Sequence, residues 1–413
     1  MKTEQADVVI VGAGPSGLRA AADLAPQLSG NVLVLEREAV AGGVPRHCDH
    51  PGYGIRDLGR FLSGPAYARR LVGTAVDAGA RIQTQSMVTG WADAKTLEVT
   101  SPQGRRLVRG EVIVLATGAR ERPRPARWVP GDRAAGVFTT AELQQQVHLE
   151  HLPVGSRAVV VGAELVSWSA AMTLRQAGVR TVAMVTRYPK ADAYAVFSGP
   201  GRVLFGTPVL TSSRVSRVVG HGRVSGVEVT DERTGTTRLL DCDTVVFTGD
   251  WIPDHELARA AGIELDPQTL GPRVDASLRT LRDGVFAAGN VVHPVDTADI
   301  AALDGAHVAA GVLAHLRGES VTTPAVPIVA EAPIRWVAPS LLRPGTAAPS
   351  RGKLLMWVEE YHALPRLVAT QDGQVIGTVR LPWPASPGRV FRAPWSVLAK
   401  ANPNGGEVRL GLA

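Results

Sequence analysis

The chain has 413 residues, 45% hydrophobic and 20% charged, a composition that excludes disorder and allows two or three separate cores. Its formal charge of +6 comes from scattered residues, mostly arginine, with no basic and aromatic stripe, so nucleic-acid binding is not expected. The two cysteines, Cys48 and Cys242, lie far apart and exclude a disulfide framework, a CxxC redox pair and a cysteine-built zinc site.

The first residues lack the basic and apolar regions of a secretory signal, and no run of about 18 apolar residues occurs. A cytoplasmic protein without a membrane span is expected. Residues 6–37, ADVVIVGAGPSGLRAAADLA followed by NVLVLER, read as strand, glycine turn, helix and strand. A comparable unit recurs at 157–187, RAVVVGAELVSWSAAMTLRQAG followed by TVAMVTR, and so marks a second nucleotide-binding-type domain. VIVLATGAR at 112–120 and TVVFTGDWIP at 244–253 are short strands ending in glycine turns, placed where the chain would cross between domains.

At 284–316, GVFAAGN and an apolar helical stretch return to the style of the first unit and are expected to complete it. From about 324 the segments become β-like with turns at Asp372-Gly373 and Asn402 to Gly406, which predicts a small β-rich domain, a sandwich. Its tryptophans (Trp336, Trp357, Trp383, Trp395) are read as core rather than ligand platform. The expected fold is α/β: two Rossmann-like dinucleotide-binding domains, the second inserted in the first, plus the β-rich C-terminal domain. The expected boundaries are 1–122 and 256–323 for the split first domain, 123–255 for the insert and 324–413 for the last.

In VGAGPSG, Gly12 permits the tight turn, Gly14 lets backbone approach a pyrophosphate, and Gly17 lets the helix pack on its strand. The helix N-terminus then faces the anion. Glu36 ends the second strand where a carboxylate accepts hydrogen bonds from a ribose. In the second turn, Gly162 keeps the first glycine position, but Glu164 and Ser167 replace the second and third. An inward glutamate adds bulk and like-charge repulsion of order ~4 kcal/mol at about 4 Å, so tight NAD(P)H binding is doubtful. Arg187 could meet a 2′-phosphate or simply be solvated.

The segment ERxxxxGG (Glu36 to Gly43), the ATG turn (Ala116 to Gly118) and FAAGN (Phe286 to Asn290) together resemble the two-dinucleotide-binding-domain flavoproteins, the pyridine nucleotide-disulfide oxidoreductase type that includes thioredoxin reductase. The resemblance covers roughly residues 5–318 and implies FAD. It implies cofactor contacts at Gly12, Gly14, Pro15, Ser16, Gly17, Glu36, Arg37, Gly43, Ala116, Thr117, Gly118, Gly289 and Asn290, the last standing where the family has an acid. The missing CxxC excludes thioredoxin reductase activity. GGVPRHCDHPGYG (42–54), ATGARERP (116–123), GVFTTAELQQ (136–145) and HPVDTADIAALDG (293–305) look like the flavoprotein subunits of cyanide synthase, opine oxidase and heteromeric sarcosine oxidase. They are also similar to oxidoreductases encoded beside glycerol-3-phosphate dehydrogenases.

That subgroup implies two partners, an iron–sulfur protein and a second flavoprotein subunit, since two cysteines cannot hold a four-thiolate cluster. It implies a small amine, amino acid or hydroxy acid as substrate. His47, Cys48 and His50 follow the glycine pair that the resemblance puts near the isoalloxazine. Loop packing, a catalytic or redox role at the flavin, and metal binding are the alternatives, although the three are too adjacent to close a metal site unaided. No metal is expected. The helix from Asp299 is expected to aim its N-terminal dipole at the flavin's pyrimidine edge. Two rival readings are an NAD(P)H-dependent reductase or peroxidase using Cys48, and a structural subunit that keeps FAD as a fold element.

Overall fold

A computed structural model describes residues 3–28, 31–190, 206–294, 296–319, 324–343 and 346–413. Strand β1 (Thr3–Val11) ends in a run buried on both faces, as a central parallel strand must be. Helix α1 (Pro15–Leu24) starts at Pro15, whose fixed φ suits a first helical turn. Strand β2 (Val32–Leu35) is wholly buried and pairs in parallel with β1.

The first sheet runs in the order Arg81–Gln83, β2, β1, Gly104–Leu115, Thr96–Ser101, Met87–Trp91. Val285–Ala287 also pairs in parallel with Gly104–Leu115, although it follows the second Rossmann unit in the chain. The long helix Ala298–Leu316 then packs across α1. This return is what splits the first Rossmann-like unit around the second.

The second unit has a five-stranded parallel sheet in the order Val137–Thr139, Thr244–Phe247, Arg157–Val161, Arg180–Val185, Val209–Leu210. A three-stranded antiparallel meander accompanies it. The two segments read as crossings pair with each other, Ala119–Glu121 against Trp251–Pro253, so two antiparallel strands connect the units. Helix α2 (Gly64–Asp77) flanks the first sheet, while α3 (Thr140–His148) and α4 (Leu165–Gln176) flank the second.

The last region is β-rich: a five-stranded and a three-stranded sheet enclose their own apolar cluster. Trp336 is buried and stacks on Trp357 at 6.3 Å, and both pack on the core of the first unit. Trp383, at 64% exposed, departs from the expectation of a core side chain. Among the described residues, no helix is long and apolar enough to cross a membrane.

Candidate functional site

The first glycine turn is built to hold something. Gly12 has φ +107°, and a Cβ there would lie 2.5 Å from the Ala116 carbonyl oxygen. Gly17 is needed for contact: its Cβ would stand 2.0 Å from the Gly12 carbonyl oxygen. Gly14 is different, because a Cβ there would meet nothing within 4 Å. Backbone at Gly14 therefore faces open space, at the N-terminus of α1, and the buried Ser16 hydroxyl beside it has no hydrogen-bond partner among the described residues. An open cradle, an orphaned hydroxyl and free helix N–H groups fit the pyrophosphate of FAD.

The other expected contacts converge on this turn. Gly43, at φ +63°, lies so close that its Cβ would be 2.8 Å from Gly14 Cα, and a Cβ on Gly289 would be 2.9 Å from that of Ser16. Glu36 is buried, with Oε2 accepting from Ala13 N–H at 2.8 Å and Oε1 from Glu38 N–H at 2.8 Å. Each oxygen retains a lone pair for a ribose hydroxyl. Thr117 donates to the Asp254 carbonyl at 2.7 Å, tying the ATG turn to the returning crossing strand.

Two expected contacts are engaged elsewhere. Arg37 points to solvent and pairs with Asp254 at 3.3 Å. The Asn290 amide clamps the Asp296 backbone, donating to its carbonyl at 3.2 Å and accepting from its N–H at 3.1 Å. The helix dipole is also answered from within: Asp299 is buried in the first turn of Ala298–Leu316 and accepts from Ile300 N–H at 3.1 Å and Arg56 N–H at 3.1 Å. A carboxylate at this helix end offsets the positive field expected for the flavin edge.

The loop His47-Cys48-Asp49-His50 lies in the seam between the two Rossmann units. Cys48 donates to Gln144 Oε1 at 3.0 Å, Gln144 Nε2 donates to Ser169 Oγ at 2.8 Å, and Ser169 Oγ meets His50 Nε2 at 2.7 Å. His50 Nδ1 lies 2.9 Å from the Pro51 carbonyl, which can only accept. His50 is thus a neutral Nδ1–H tautomer that accepts from Ser169, and burial lowers its pKa in agreement. The chain of bonds joins this loop to α3 and α4.

Burial pushes the Cys48 thiol up to about 12 and, with Arg46 nearby, pulls His47 down to about 4. Cys48 is therefore a protonated donor at neutral pH, held by Gln144. Cys242 is also buried. Among the described residues, no group of three or more His, Cys, Asp or Glu side chains is arranged to hold a metal ion.

A residue that the sequence did not single out completes the seam. Glu121, 4% exposed, accepts from Ala141 N–H at 2.9 Å near the start of α3, while its other oxygen is buried without a hydrogen-bond partner. Burial raises its pKa from the ordinary 4.5 to about 7. The folded chain thus holds an extra proton, and the stability this contributes is present in full below about pH 4.5 and lost as pH rises through about 7. Glu121→Gln should accordingly match the parent near pH 4.5 and exceed it at pH 8 by on the order of 3 kcal/mol in denaturant unfolding. Equal differences at both pH values would contradict this. His47 contributes the opposite slope, present above 6.5 and lost as pH falls through about 4, but equally in both proteins.

The second turn is filled rather than open. Glu164 Oε2 accepts from Ala163 N–H at 2.9 Å, and Oε1 accepts from Thr248 Oγ1 at 2.7 Å. The Ser167 and Thr248 hydroxyls meet at 2.7 Å beneath it. The glutamate carboxylate lies on turn donors of the kind that a pyrophosphate would use. Arg187 donates to the Tyr188 hydroxyl at 3.1 Å.

A profile of the family described as pyridine nucleotide-disulphide oxidoreductase matches residues 6–309. A ferredoxin–NADP reductase of Ignicoccus hospitalis is 26% identical over 310 residues, covering 72% of this chain and 94% of the relative. An opine oxidase subunit of Rhizobium meliloti is 28% identical over 335 residues, covering 75% and 71%. Thioredoxin reductase of Treponema pallidum is 28% identical over 296 residues, covering 69% and 88%. In fold, the thioredoxin reductase of T. acidophilum superposes with a TM-score of 0.64 at 22% identity, over 76% of this chain and 99% of that one. Relatives named for NADP do not support the expectation of weak nicotinamide binding, which rests on Glu164 and Ser167 in the second turn.

Proposed function

Since the chain belongs to the pyridine nucleotide-disulphide oxidoreductase family, we propose that it is the flavin-bearing component of a multicomponent dehydrogenase or oxidase acting on a small amine, amino acid or hydroxy acid. Membership makes it an FAD-dependent oxidoreductase. Bound in the first turn, FAD supplies the two-electron chemistry. The protein's own residues hold the dinucleotide and close the seam beside it.

The observation that carries the finer reading is the seam. It contains one cysteine, protonated and bonded to Gln144, so no dithiol relay operates there and electrons leave by another route. The likeness to opine oxidase subunits supports a partner as that route. We take the partners to be an iron–sulfur protein and a second flavoprotein subunit. Purification of the native protein under mild conditions should bring down both, and full turnover by this chain alone would overturn the assignment.

The loop acts in this reading by positioning. Cys48→Ser and His50→Ala should keep FAD and lower turnover with the native complex by about tenfold, or roughly 1.4 kcal/mol in the barrier. Full turnover in both would leave the loop a packing element. Loss of FAD from both would make it a cofactor-retaining one.

Glu164 gates the second turn: a nicotinamide dinucleotide binds only by displacing its carboxylate from Ala163 and Thr248. Glu164→Gly should therefore tighten NADPH at least about tenfold, a gain of roughly 1.4 kcal/mol, read as the concentration dependence of flavin bleaching in stopped flow. Unchanged affinity would mean that the carboxylate is no obstacle.

A further inference from the structure

Between the first Rossmann unit and the β-rich region lies a cavity of about 30 Å³, more than twice the room that one water needs. His293 reaches it just after the Gly289 turn. The ring is 2% exposed, and its Nε2 lies 2.6 Å from Asp304 Oδ2 on the long helix Ala298–Leu316. Burial opposes charge on this histidine, but Asp304 and Asp296 outweigh it and raise its pKa, favouring the imidazolium. Both nitrogens then donate, and the second, Nδ1, is buried with no acceptor among the described residues.

The far wall combines apolar side chains, among them Pro339 and Leu355, with two cationic residues. Ser350, Arg351 and Lys353 line it from the β-rich side, and neither Arg351 nor Lys353 carries an ion pair among the described residues. Arg351 is held in left-handed backbone, φ +61° and ψ 14°, which costs a non-glycine residue energy. One acid, Asp304, lines the cavity itself and is matched by His293, while nearby Asp296 is matched by Arg392 and Asp275 by Arg343. Around the cavity, His293 Nδ1 is thus a donor without an acceptor, and the exposed residues Arg351 and Lys353 carry charge without an ion-pair partner among the described residues.

We propose that this cavity is a binding site for a compact oxyanion of about phosphate size, accepting from His293 Nδ1 and paired by Arg351 and Lys353. Such an anion would join the Gly289 side of the flavin-binding unit to the β-rich region. The site is independent of the electron donor.

The test is thermal unfolding of the FAD-loaded protein in inorganic phosphate against sodium chloride at matched ionic strength, with sulfate and acetate as further arms. Phosphate at ten times its dissociation constant should give a saturable rise in Tm of about 2 °C. The rise should vanish in the doubly substituted Arg351→Gln/Lys353→Gln protein and persist in Arg366→Gln/Arg380→Gln, which removes the same charge from a different surface. Both sets are exposed positions, so the variants should fold. No saturable rise over chloride, or a rise unchanged in Arg351→Gln/Lys353→Gln, would overturn the proposal. So would a crystal structure grown in phosphate with only water against His293.

Discussion

Replacing Gly14 by valine should yield a folded, colourless protein. The glycine has ordinary helix-entry backbone, with φ −82°, and a Cβ there meets no protein atom within 4 Å, so the chain itself has no objection to a side chain. The dinucleotide does, because the valine methyls would stand where the pyrophosphate meets the α1 N–H groups. FAD affinity should fall by at least about a hundredfold, ~2.7 kcal/mol, while Tm of the cofactor-free protein stays near that of the cofactor-free parent. Flavin absorbance per chain and calorimetry of both apoproteins check the two halves. Undiminished flavin in Gly14→Val would remove the cradle from this turn.

The second large effect is on stability. Gly305 lies inside the long helix Ala298–Leu316, where alanine would be preferred by about 1 kcal/mol on propensity alone. A Cβ at 305, however, would lie 2.1 Å from the Ser16 carbonyl oxygen and 3.1 Å from Ala20 N, both backbone atoms of α1. Backbone cannot give as a side-chain tip can, so packing outweighs propensity. Gly305→Ala should destabilise by ~3 kcal/mol in denaturant unfolding and displace the start of α1 at the FAD cradle. A more stable variant would show that the helices separate freely.

How far these features could be read from the sequence depended on whether one residue or several elements carry them. The first turn was legible because Gly12, Gly14 and Gly17 each answer a separate backbone demand within six consecutive residues. Gly305 left a legible trace, a helix-weakening residue in an otherwise alanine-rich stretch, but its partner Ser16 lies at the other end of the unit. The seam was not legible. Cys48, Glu121, Gln144 and Ser169 come from a loop, a crossing strand and two helices, and only the fold brings them together.

Burial decided two other outcomes. The sequence left packing, catalytic or redox, and metal roles open for Cys48, and desolvation keeps its thiol protonated. Glu164 was expected to repel a pyrophosphate as a bulky charge. Its carboxylate instead folds onto its own turn, where Ala163 N–H and Thr248 Oγ1 satisfy it, so it competes for donors rather than merely repelling. At the start of the Asp299 helix, Asp299 itself takes the Ile300 N–H, so its carboxylate shares that helix end with whatever the dipole faces.

The most direct test of the central claim is the identity and amount of cofactor that the denatured protein releases. One open turn and one filled turn predict a yellow protein that yields FAD, close to one per chain, as resolved by chromatography against FAD and FMN standards. FMN alone, or a colourless protein that takes up no FAD on reconstitution, would contradict it.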